Sequence, residues 1–195
     1  SASGFMLMID SENLIMLFIG LEIGSISLYA LAGLNRGDKL SNEASLKYFL
    51  LGSLASCILI YGVSLVYVSF SVFSVYNFAL GLAYVGPDSV PLTTSIGVLL
   101  IFIGLLFKIA AAPFQSWAPD VYQGSPTGFV GFMSSIAKAS SFIVIARLCL
   151  VSINFIIEDF NIFFLIVIIS SALIGSLFAS IQEDLKRLLA YSGVV

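Results

Sequence analysis

Histidine is missing from this 195-residue chain, and cysteine occurs only twice. The first absence removes the commonest metal ligand and the usual proton shuttle near neutral pH, and no zinc site is expected without it. Cys57 and Cys149 both lie in apolar runs, where each reads as a small packing residue, and a disulfide between them has little support. Charge is scarce too: 10% of the residues are charged, against about 25% in soluble domains. The charges sum to -3, which indicates neither a nucleic-acid footprint nor a basic membrane-surface patch. The opening SASGFMLMID has no charged n-region, so no signal peptide is expected.

What fills the chain is hydrocarbon: 59% of residues are hydrophobic, and the mean hydropathy is +1.10. This composition predicts an all-α polytopic transmembrane bundle, because helices satisfy their own backbone groups in lipid. A spanning helix needs about 20 mostly apolar residues. Five runs qualify, near 12–34, 47–70, 93–112, 127–152 and 161–180, within a single membrane domain, 1–195. The opening SASGFMLMI and closing DLKRLLAYSGVV read as partial helices. VFSVYNFALGLAYVGPDSVP, broken by glycines, Pro87 and Pro91, reads as interfacial. With alternating spans, Arg36, Lys39, Lys47, Lys186 and Arg187 collect on one side. Asp10, Glu12, Asp88, Glu158 and Asp159 collect on the other, with Arg147 the nearby cation. The basic side is expected to be cytoplasmic, or the matrix in a mitochondrion.

Three charges fall inside the spans. Glu22 lies in LFIGLEIGSISLY, Lys108 in IGVLLIFIGLLFKIAAAP and Lys138 in GFMSSIAKASSFIVIA. Each charge at a helix centre costs roughly 2.5–3.5 kcal/mol on insertion scales. A structural Glu22–lysine ion pair is one reading, but three charges of mixed sign on three helices favour a proton or ion pathway. Lys138 sits about eleven residues from the nearer helix end, beyond the reach of snorkelling. Ser134, Ser135 and Ser141, one turn before and after it, are expected to form a polar stripe on its helix face. Gly20 and Gly24 allow another helix to approach Glu22 closely, and Ser25 and Tyr29 extend a polar edge one and two turns on. After Lys108, Pro113 interrupts the helix and is expected to leave carbonyls free beside the ammonium. A lysine and a glutamate that close and separate make a proton switch.

The stretches LEIGSISLYALAG, KYFLLGSLASCILIYG, LLFKIAAAPFQSWAPDVYQGSPT, SSIAKAS and QEDLKRLLAYS together resemble NADH dehydrogenase subunit 2. This is the antiporter-like membrane-subunit family of respiratory complex I, related to multisubunit sodium/proton antiporters. The resemblance implies an antiporter-like fold with a broken helix after Lys108. It implies proton transfer along Glu22, Lys108 and Lys138, driven by quinone reduction elsewhere in the complex. Pro113, Gln115, Ser134 and Ser141 become candidates for lining the channel or the break. Gln115 stands where the family usually carries histidine, and it cannot titrate. The resemblance implies no cofactor in this chain, and as partners it implies lipid and the other membrane-arm subunits.

The family's first three helices and its later lysine have no counterpart here, so a fragment is expected, or one half of a split subunit with a second piece bound beside it. The mitochondrial inner membrane is the expected location. Two alternatives stand: a subunit of a multisubunit cation/proton antiporter, and a structural membrane subunit that has lost transport.

Overall fold

Each long apolar run becomes a helix whose ends are set by polar residues. The structure, a computed structural model, describes residues 1–86, 89–151 and 157–195; Pro87, Asp88 and Ser152 lie outside the described residues, as do the side chains of Glu158 and Asp159. The helices are α1 (Ala2–Asp10), α2 (Leu14–Ala32), α3 (Lys39–Phe70), α4 (Val75–Val85) and α5 (Leu92–Ile109), then α6 (Ala118–Gly124), α7 (Thr127–Phe132), α8 (Lys138–Val151), α9 (Ile157–Ser180) and α10 (Leu185–Ser192). Among the described residues, five segments are long and apolar enough to cross a membrane: α2, α3, α5, the α7–α8 stretch and α9.

The N-caps are mostly short polar side chains. Asn13 accepts from the backbone of Ile15 and Met16, Asp38 from Leu40, and Asp184 from Lys186 and Arg187. Each satisfies donors that a first helical turn leaves unpaired. The Asp38 cap starts α3 at Lys39, eight residues before the expected 47. Its 32 residues span roughly 48 Å, against a hydrocarbon core of about 30 Å, so part of the helix must lie beyond that core.

Glycine sets how closely the central helices cross. A Cβ on Gly62 of α3 would lie 2.5 Å from the Gly97 carbonyl of α5, and one on Gly97 would lie 2.9 Å from the Gly62 carbonyl. Only hydrogen fits between these backbones. The Gly20/Gly24 pair works the same way, receiving Gly4 and the Phe5 ring of α1. Arg147 of α8 then ties down the end of α1, donating to the carbonyls of Ile9 (2.6 Å) and Ser11. A cation at a helix C-terminus complements both its unpaired carbonyls and its dipole. At the opposite end Lys47, Asp120, Lys186 and Arg187 gather around α6. Helix α9 turns Ile162, Leu165, Ile169, Leu173 and Leu177 outward.

Candidate functional site

The site is built around the end of α5. Ala110 takes a left-handed conformation (φ 59, ψ 35), and the chain leaves the helix there, three residues ahead of Pro113. Two of the last helical carbonyls, those of Leu106 and Phe107, are taken at this turn. Ala111 N–H donates to Leu106 (3.1 Å), while Ala110 N–H (3.0 Å) and the Trp117 indole (3.1 Å) both donate to Phe107. The 6→1 bond from Ala111 is that of a Schellman-type ending, which satisfies the carbonyls locally. The following backbone is satisfied by α9: Ser171 accepts from Ala112 N–H at 2.9 Å, and Ser170 donates to the Ala112 carbonyl at 3.3 Å. Non-helical backbone at membrane depth is tolerated when buried protein supplies such partners.

Lys108 is 9% exposed. Instead of carbonyls it meets hydroxyls of α2, donating to Ser25 Oγ at 3.0 Å and to the Tyr29 hydroxyl at 2.9 Å. Its ammonium also lies 5.4 Å from the Tyr29 ring centroid, within cation–π range. Glu22, one turn before Ser25, is not among the ion pairs of the described residues; it accepts a hydrogen bond from Ser56 of α3. The polar edge Glu22–Ser25–Tyr29 read from the sequence therefore faces Lys108, but the two charges are held apart on separate hydroxyls.

An aromatic wall closes this region. Tyr29 meets Tyr48 edge-on with centroids 4.7 Å apart, Tyr48 stacks on Trp117 at 4.8 Å, and Trp117 stacks on Phe107 at 5.5 Å. Neither Tyr48 nor Ser56 stands out in the sequence. The signal available for Ser56 is the small-residue spacing Gly52–Ala55–Ser56 on one face of α3.

Lys138 is 8% exposed, and its ammonium donates to the Gly193 carbonyl at the end of α10. None of the described hydrogen bonds joins it to Glu22 or Lys108. The serine stripe expected beside it does not form as one face. Met133–Ala137 is a π-helical turn, and the extra residue per turn breaks the 3.6 period on which the stripe depends. Ser134 and Ser135 are exposed and donate back to Gly131, whereas Ser141 is buried and donates to Ala137. Pro113 is exposed, joined to Ala112 by a cis peptide. Gln115 opens the short 3₁₀ turn Gln115–Trp117, with its side-chain oxygen buried and unpartnered among the described residues.

A second polar cluster, unexpected as a unit, lies at the basic end. Asp120 of α6 accepts from Lys47 of α3 at 2.7 Å and from Arg187 of α10 at 3.0 Å. Burial alone would raise its carboxyl, but the two cations outweigh that and hold it below the ordinary carboxylate value.

Residues 11–195 match the family described as "NADH:quinone oxidoreductase/Mrp antiporter, TM". The chain is 43% identical over 191 residues to NADH-quinone oxidoreductase subunit N of Trichlorobacter lovleyi, covering 98% of this chain and 39% of that protein. It superposes with TM-score 0.81 and 36% identity on a chain of respiratory complex I from Thermus thermophilus, across 98% of this chain and 40% of that one. A chain of the Mrp complex from Dietzia gives TM-score 0.85 at 21% identity, across 98% and 35%, a likeness of fold alone. The chain thus spans about two fifths of the length of the curated relatives it matches. These relatives are bacterial and give no support to the expected mitochondrial inner membrane, while a multi-pass membrane protein stands. The chain belongs to the NADH:quinone oxidoreductase/Mrp antiporter transmembrane family.

Proposed function

We propose that this chain belongs to a proton-translocating membrane-arm subunit of an NADH:quinone oxidoreductase, in which Glu22, Lys108 and Lys138 carry protons at mid-membrane. The observation that supports this most directly is the setting of Lys108. A 9%-exposed ammonium held by neutral hydroxyls is costly to keep charged in a membrane, and Glu22 sits on the helix that supplies those hydroxyls. Such a lysine can take up and release a proton as the distance to its carboxylate changes. Quinone reduction elsewhere in the complex drives the change, the redox centres belong to other subunits, and the partners are the other membrane-arm subunits and lipid. The bacterial relatives favour a bacterial cytoplasmic membrane as the location.

In the assembled, full-length subunit, Lys108→Ala and Glu22→Gln should lower the number of protons moved per NADH oxidised while the complex still forms on native gels. Lys138→Arg keeps the charge but releases its proton far less readily, and should impair pumping too. Normal pumping by an assembled Lys108→Ala complex would end this reading.

The second reading, a subunit of a cation/proton antiporter without a redox partner, is favoured by the matched family, whose description names the Mrp antiporter beside the oxidoreductase. Native gels separate the two: co-migration with NADH-oxidising activity supports the first, and migration with a few membrane proteins lacking that activity supports the second.

A further inference from the structure

Glu22 and Lys108 do not touch, and hydroxyls of α2 and α3 lie between them. The Lys108 ammonium donates to the Tyr29 hydroxyl at 2.9 Å. That hydroxyl packs against Gly52, whose carbonyl accepts from Ser56 one turn on, and Ser56 also donates to Glu22 Oε1. The hydroxyls differ in what they can pass on. Ser25 donates its one proton to the Leu21 carbonyl at 2.7 Å, so it receives a bond from Lys108 and ends there. Ser56 has two acceptors for its proton, Glu22 and the Gly52 carbonyl at 3.0 Å. Space is reserved for the arrangement: a Cβ on Gly52 would lie 2.8 Å from Tyr29 Cζ and closer still to its oxygen.

We propose that Tyr29 and Ser56 form a proton wire between Lys108 and Glu22, with Ser25 as the group that positions the lysine. The wire deepens the function proposed above and rests on it. A transfer breaks an N–H bond of Lys108 and forms an O–H bond on Tyr29, whose own proton moves to Ser56, whose proton moves to the Glu22 carboxylate. Three bonds to hydrogen break and three form. The ammonium and carboxylate become a neutral amine and a neutral acid, and both hydroxyls are restored but turned. Before the next transfer in the same sense each hydroxyl must rotate back, and the Ser56 hydroxyl has the Gly52 carbonyl as its resting acceptor. Turned that way it opens the circuit. The pair thereby exchanges a proton without the lysine and the glutamate moving into contact.

The test measures protons moved per NADH oxidised in inverted membrane vesicles containing the assembled complex with the full-length subunit. Tyr29→Phe keeps the ring and its contact with Tyr48 but removes the oxygen. Ser56→Ala removes one oxygen, and Ser56→Thr restores it. Tyr29→Phe and Ser56→Ala should lower the ratio as far as Lys108→Ala does, while Ser56→Thr keeps it near the unmodified value. A packing role alone would not distinguish alanine from threonine in this way. Wild-type ratios for both Tyr29→Phe and Ser56→Ala, beside a defective Lys108→Ala, would overturn the wire and leave the proposed function standing. A wild-type ratio for Lys108→Ala would remove both. If Tyr29→Phe fails to assemble, the two Ser56 variants decide for or against the wire.

Discussion

Lys47 and Arg187, 140 residues apart in the chain, each bond a different oxygen of the single Asp120 carboxylate, at 2.7 and 3.0 Å. The short helix α6, which begins just past the break after Lys108, is thereby fastened to α3 on one side and α10 on the other. Lys47 is also shared with Glu43, 2.8 Å away on its own helix, so the cluster carries two acids and two bases.

Asp120→Asn should loosen α10 and make its amides exchange hydrogen faster. Each such part-exposed pair is worth roughly 0.2–1 kcal/mol, so the combined loss should be about 1 kcal/mol. The pH dependence has a definite sign. A carboxyl held below its ordinary value stabilises the fold fully above that value and loses the contribution as pH falls through the lowered one. Thermal stability of the unmodified protein should therefore decline in the acid range more steeply than that of Asp120→Asn. Parallel curves would show that Asp120 does not carry this dependence.

Much of this framework is legible in the sequence, because lipid enforces a simple code of length and hydropathy. Five spans, the stop after Lys108 and the polar edge of Ser25 and Tyr29 beside Glu22 all follow from spacing. The start of α3 is harder to place because Lys39–Lys47 is polar, and that polarity outweighs the signal of the Asp38 cap. Ser56 is hidden for a different reason: its bond to Glu22 crosses 34 residues between two helices, which no local period encodes. The π-turn before Lys138 is equally hidden, since MSSIA is compatible with an ordinary helix.

The α3–α5 crossing should be intolerant of a single methyl. Gly62→Ala would place carbon 2.5 Å from the Gly97 carbonyl and 2.8 Å from the Ile101 nitrogen, and backbone atoms do not yield as side chains do. A loss of about 1–3 kcal/mol is expected, read as a lower melting temperature in detergent. Gly128→Ala, with nothing within 4 Å of the added carbon, should leave melting unchanged or raise it slightly. Equal behaviour of the two variants would refute the close contact.

At Ala110 the order of tolerance should be reversed from that of an ordinary buried helix. The left-handed conformation costs a residue with a Cβ roughly 1–2 kcal/mol, and replacement by glycine removes that cost. Glycine's freer unfolded chain returns about 0.4–1 kcal/mol of it, so Ala110→Gly should be close to neutral or mildly stabilising. Ala110→Val, β-branched and fully buried, should lose at least about 2 kcal/mol. Denaturation in mixed micelles checks both. A silent Ala110→Val would mean that the turn is not held as described.

The π-turn at Met133–Ala137 has a consequence for changes in chain length. Such a turn holds one residue more than the surrounding helix needs. Removing any one of the five would let the segment close as a plain α-helix, leaving the span long enough to cross. Everything on its N-terminal side would keep nearly its present phase relative to Lys138, whereas the same deletion in a plain α-helical turn would swing it by about 100°. This short stretch is thus the one place in the span described here where a residue can be lost without redirecting a helical face.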